Sequence, residues 1–84
     1  MDNKENLLLY LDKVHSTEMG MDRIKRNLNL DTDDVVEWCK NKIQDVNCTV
    51  SKKGKNYYVT IDDFIITVNA HSYTIITAHK NKHK

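Results

Sequence analysis

Phe64-Ile65-Ile66-Thr67-Val68-Asn69-Ala70-His71-Ser72-Tyr73-Thr74-Ile75-Ile76-Thr77-Ala78-His79-Lys80 is the most apolar and most β-branched stretch of the chain, and its alternation decides the fold. Successive side chains of a strand point to opposite faces. Phe64, Ile66 and Val68 therefore fall on one side, and Ile65, Thr67 and Asn69 on the other. In the second half Thr74, Ile76 and Ala78 oppose Tyr73, Ile75, Thr77 and His79. The chain must reverse near Ala70-His71-Ser72, where no glycine supplies a positive φ, so a longer turn or a bulge is expected. With helices over one face, the other would carry Thr67, Asn69, Tyr73, Thr77 and His79 toward solvent or a ligand.

Working back from this stretch, Tyr57, Val59 and Ile61 alternate with Tyr58 and Thr60, and Cys48–Ser51 alternates more weakly. Gly54 in Lys52-Lys53-Gly54-Lys55 and the pair Asp62-Asp63 supply the turns. Upstream the spacing becomes helical. Leu7, Leu8, Leu11, Val14 and His15 predict a helix over 6–15 that carries His15 at its C-terminal end. Ser16-Thr17 caps a second helix whose buried face is Met21, Ile24 and Leu28, and Gly20 near its start marks either a close backbone approach or a weak helix start. Asp31 or Thr32 caps a third helix, which runs to about Val46 on a stripe of Val35, Cys39, Ile43 and Val46. The expected fold is α+β: two to three N-terminal helices packed on one face of a four-stranded antiparallel β-meander. One domain spans 1–84, helical over about 6–46 and β over about 48–80, with a frayed basic tail at 81–84.

Eighty-four residues give room for one small core and an expected radius of gyration of about 12 Å. The net charge of +1 hides an asymmetry. Residues 1–46 hold seven Lys/Arg against ten Asp/Glu, a balance of −3, whereas residues 47–84 hold six against two, a balance of +4. The basic sheet half suits an anionic partner. No apolar run is long enough for a membrane span, and the two widely spaced cysteines read as reduced thiols of a cytoplasmic protein. No cofactor is implied and no metal site is expected, since His79 and His83 lack the further ligands a tetrahedral set needs.

Nearly the whole chain resembles a small bacterial family described only as a domain of unknown function. The likeness lies in Ser16-Thr17-Glu18-Met19-Gly20, Arg23-Ile24-Lys25-Arg26-Asn27-Leu28, Asp33-Asp34-Val35-Val36-Glu37-Trp38-Cys39, Ile66-Thr67-Val68-Asn69 and Tyr73-Thr74-Ile75-Ile76-Thr77-Ala78-His79. It implies a bacterial, cytosolic origin and no mechanism. The closing strand Ile75-Ile76-Thr77-Ala78-His79, after helices and a meander, is similar to the last strand of the barnase, colicin D and RelE-like ribonuclease group. That likeness implies His15 as the helix histidine, Arg23 or Arg26 as the phosphate-binding cation, and Thr77 with His79 as the late-strand pair.

Metal-free RNA cleavage needs a base, an acid and positive charge on the phosphoryl oxygens. The candidate catalytic set is accordingly His15, Arg26, Thr77 and His79. Arg23, Lys25, Tyr58, Asn69, Tyr73 and Lys80 are the candidate RNA-binding residues, the tyrosines as stacking platforms. The expected function is RNA-directed, as a metal-independent ribonuclease or a relative that only binds RNA. The alternative is a non-enzymatic protein-protein interaction module that uses the exposed sheet face or the edge strand Cys48–Ser51 to pair with itself or a partner. A DNA-reading helix at Gly20–Leu28 is disfavoured, because Asp31, Asp33, Asp34 and Glu37 follow it and would repel phosphates.

Overall fold

Thr17 sits in extended conformation at the head of the longest helix, and its hydroxyl accepts the Gly20 N–H at 3.0 Å. That bond satisfies one of the donors a helix start leaves open. In the computed structural model, which describes residues 3–80, the elements in order are α1 (Asn3–Leu9), a 3₁₀ turn (Leu11–Lys13), α2 (Glu18–Leu28), α3 (Val35–Ile43), β1 (Thr49–Lys53), β2 (Asn56–Ile61), β3 (Phe64–Asn69) and β4 (Ile75–Lys80). The strands form one antiparallel sheet in the order β1-β2-β3-β4. Helices followed by a four-stranded meander make the α+β fold expected. The radius of gyration is 11.7 Å. The basic tail 81–84 lies outside the described residues.

One face of the sheet is the core. Tyr57, Val59 and Ile61 of β2, Ile66 and Val68 of β3, and Ile75 and Ala78 of β4 are buried against Leu7, Ile24, Leu28, Val35, Cys39 and Ile43. Trp38 closes one side, edge-on to Phe64 with ring centroids 5.6 Å apart. Both cysteines are free and buried, and burial pushes the Cys39 thiol up to about 12. Among the described residues no helix is long and apolar enough to cross a membrane.

Five local expectations are corrected. The first helix spans Asn3–Leu9, ending well before His15 instead of covering 6–15. The cause is tertiary: Val14 is buried, and His15 makes two backbone bonds beside β4, donating to Tyr73 O at 3.1 Å and accepting from Ile75 N at 2.7 Å. The third helix is capped by Asp34, whose carboxylate accepts the Glu37 N–H. It stops at Ile43, leaving Val46 87% exposed, because the Lys4 ammonium reaches across to the Asp45 and Cys48 carbonyls and holds the chain in a turn.

The remaining corrections concern β4. A bulge lies where Thr67 pairs with Thr77 but Val68 pairs with Ile75, leaving Ile76 as the extra residue. This puts Ile75 in the core and leaves Ile76 41% exposed, the reverse of strict alternation. Tyr73 takes the left-handed conformation (φ 59°) and lays its ring on Tyr10, centroids 5.4 Å apart, away from the open face.

Candidate nucleic-acid interface

Among the described residues no helix packs on the second face of the sheet, and the strand register sorts its side chains into rows that cross the strands. Thr49, Thr60, Ile65 and His79 form the row nearest the Asp62-Asp63 turn. Ser51, Tyr58, Thr67 and Thr77 form the middle row. At the hairpin end Lys53, Asn56 and Asn69 line up, and Thr74 and His15 continue the line through an isolated parallel bridge. Neighbouring members of a row lie about 5 Å apart, so a row spans a few nucleotides. Thr67 is 6% exposed although no helix among the described residues covers this face. Its neighbours Tyr58 and Thr77 crowd it within the face.

The hairpin-end row is held by a hydrogen-bonded chain. His15 Nδ1 is 2.9 Å from the Lys13 carbonyl, and its Nε2 is 3.0 Å from Thr74 Oγ1. A carbonyl only accepts, so Nδ1 carries the proton in the neutral ring and Nε2 accepts from the Thr74 hydroxyl. Thr74 Oγ1 in turn lies 2.8 Å from Ser72 Oγ. Asn69 shapes the turn, its Oδ1 accepting the backbone N–H of His71 at 2.8 Å and of Ser72 at 2.9 Å. The strained φ of Tyr73 places Thr74 beside His15, and the surrounding bonds hold it there.

Charge is distributed by sheet end. Lys53 and Lys55 flank Gly54 in the β1–β2 turn, Lys52 precedes them, and Lys13 sits 5.3 Å over the Tyr10 ring beside the same end. Gly54 has φ +63°, as the first position of a type II′ turn requires. The opposite end carries Asp62 and Asp63 in the β2–β3 turn, with Asp62 3.9 Å from Lys42. Burial pushes the Tyr73 phenol above its ordinary range, with Tyr57 and Tyr10 adding to the effect.

Of the residues singled out in the sequence, the register brings His15, Tyr58, Asn69, Thr77 and His79 to this one face. It does not bring the two histidines together. His15 bonds Thr74, and His79 stands five positions further along the chain, about 16 Å at the rise of a strand. Arg23 and Arg26 lie on α2, lining a 270 Å³ groove with Met19, Asp22 and Asn27. Lys25 is ion-paired with Asp33, which holds that carboxyl below the usual carboxylate range. Lys80 pairs with Phe64 on the core side of the register, near the acidic end. Thr74, Ser72, Lys53 and Asn56 were not anticipated as members of the face. The Asn69-x-x-Ser72 spacing of a side-chain-capped turn was the available signal for the first two.

A family model described as a protein of unknown function, DUF3781, matches residues 8–79. Comparison with curated proteins and with solved structures gives no match, so nothing in them supports the likeness to the ribonuclease group. Among the described residues no three His, Cys, Asp or Glu side chains are grouped to hold a metal ion.

Proposed function

The chain belongs to the DUF3781 family, and on that premise we propose that it binds single-stranded RNA on the helix-free face of its sheet. The supporting observation is the centring of Tyr58 on that face, between hydroxyl-bearing rows, with lysines gathered at one end of the strands and aspartates at the other. Tyr58 is half-buried, and the part of its ring left open on the sheet is a stacking platform of the kind worth about 1–3 kcal/mol per base. Lys53 and Lys55 supply charge for the phosphates, and Asn56, Thr74 and the Ser72 hydroxyl lie where a ribose 2′-OH is read. The strand is laid between the middle row, where Tyr58 stands, and the hairpin-end row, because Asp62 and Asp63 repel it from the other end.

Binding, not cleavage, is the activity proposed. A shared phosphoryl site requires acid and base both within hydrogen-bond reach of the reacting atoms, and about 16 Å of strand separates His15 from His79. The test is fluorescence anisotropy of a labelled, short uridine-rich RNA, measured between about 50 and 200 mM salt. Tyr58→Ala is expected to weaken binding about tenfold, the equivalent of 1.4 kcal/mol. Lys53→Ala is expected to lower the salt slope by about one. Absence of binding at the lowest salt, or a Tyr58→Ala variant that binds like the wild type, overturns the proposal.

A further inference from the structure

We infer that two copies of this chain pair through the outer edge of β1, antiparallel about a two-fold axis at Ser51, joining their sheets into one. The backbone of that edge is poised for it. β1 and β2 are connected by the two-residue turn Gly54-Lys55, closed by the pair Lys53 and Asn56. The closing pair of such a hairpin exchanges both backbone bonds, and bonded and non-bonded pairs alternate from there. Lys53, Ser51 and Thr49 therefore turn their N–H and C=O groups to β2, whereas Lys52 and Val50 turn theirs outward. Among the described residues, no turn, loop or cap hydrogen bond reaches these outward groups. Thr49, Ser51, Lys52 and Lys53 are exposed along this edge.

The stretch Thr49-Val50-Ser51-Lys52-Lys53 is complementary to itself when reversed. With Ser51 opposite the partner's Ser51, Val50 exchanges both backbone bonds with the partner's Lys52, and Lys52 does the same with the partner's Val50. Every outward group is then bonded. No lysine faces a lysine, since Lys53 meets the partner's Thr49; a register centred on Lys52 would place like charges opposite each other, which is unfavourable. Charge complementarity adds to this. The reversal lays the lysine-rich hairpin end of one copy beside the Asp62-Asp63 end of the other. The helix-free faces come out on the same side of the joined sheet, yet the pairing uses neither Tyr58 nor RNA, so it stands or falls separately from the RNA proposal.

Sedimentation equilibrium of the RNA-free protein tests it. The expected result is twice the chain mass at high micromolar concentration, falling to the chain mass on dilution. The chain mass at every concentration overturns the inference. Proline is tolerated on an edge strand where its missing N–H faces outward, so Lys52→Pro is expected to keep the far-ultraviolet circular dichroism and lose the dimer; a Lys52→Pro dimer overturns the inference. Register is read by oxidation, because residues facing each other in a non-bonded pair lie close enough for a disulfide. Ser51→Cys is expected to cross-link two chains and Thr49→Cys to remain uncross-linked. Equal cross-linking of the two variants overturns the Ser51 register.

Discussion

The two edges of this sheet are treated in opposite ways. Along β4 the outer edge is covered: His15 pairs with it through two backbone bonds, Asn27 Nδ2 donates to the Ala78 carbonyl at 3.2 Å, and Ser16 Oγ reaches the Ile75 carbonyl at 3.5 Å. Gly20 leaves room for the Ser16 and Thr17 hydroxyls at the head of α2 beside this edge. A Cβ there would stand 2.8 Å from Ser16 Oγ and 3.0 Å from Thr17 Oγ1, with the Ile75 carbonyl at 3.8 Å. Along β1, among the described residues, no such hydrogen bonds cover the outer edge; α1 packs beside the strand, with Lys4 donating to the Cys48 carbonyl and Asn6 to the Tyr57 hydroxyl opposite Lys52. An open edge invites pairing. Among the described residues, the bonds that cover β4 come from segment 15–28, which precedes the sheet in the chain.

The largest expected effect comes from loosening the cover itself. Ile24 is fully buried and anchors α2. Ile24→Ala should cost about 2–5 kcal/mol in urea or guanidinium unfolding, out of a total near 4–13 kcal/mol for a domain of this length. Hydrogen exchange then sharpens the comparison between edges. Amides of Ile75–Lys80 should lose protection in the variant while β1 amides change little, and retained protection would show that α2 is not what closes this side.

A pH series reads the same helical layer more gently. Burial raises the Cys39 thiol from 9.0 to about 12, so the fold favours the protonated form over the unfolded chain. The resulting stability is fully present below about pH 9 and is lost as pH rises toward 12, at up to about 1.4 kcal/mol per pH unit. Cys39→Ala should flatten that slope relative to the wild type in parallel denaturation curves. An unchanged slope would mean that the layer behind α2 and α3 admits water. The smallest effect is expected from Asn27→Ala, which removes one bond to the covered edge. It should lower the unfolding midpoint by the equivalent of about 1 kcal/mol with an unchanged m-value.

Much of this architecture was legible because it is carried by local periodicity. The alternation Tyr57-Tyr58-Val59-Thr60-Ile61 and the run Phe64-Ile65-Ile66-Thr67-Val68 assigned β2 and β3 to the correct faces. Ile24 and Leu28 marked the buried side of α2, and Thr17 announced its start. Of the face, Tyr58, Asn69, Thr77 and His79 followed from the same alternation. The departures come where a distant partner overrides a local pattern. Residues 11–15 have helical spacing, yet His15 gains more by bonding the backbone of β4. Tyr73 has a strand's neighbours, yet its ring packs on Tyr10 and its φ is positive.

The sequence by itself determined the class of fold, the four strands, most of the buried stripe of each long helix and the uneven charge of the two halves, because each depends on side-chain period or composition over a few consecutive residues. Only the tertiary structure decided which edge is closed, that β4 bulges at Ile76 and brings Ile75 inward, and that His15 stands beside Thr74 and far from His79. Those outcomes depend on backbone groups finding partners tens of residues away, and a hydrogen bond between His15 and residue 75 leaves no trace in the spacing of either segment.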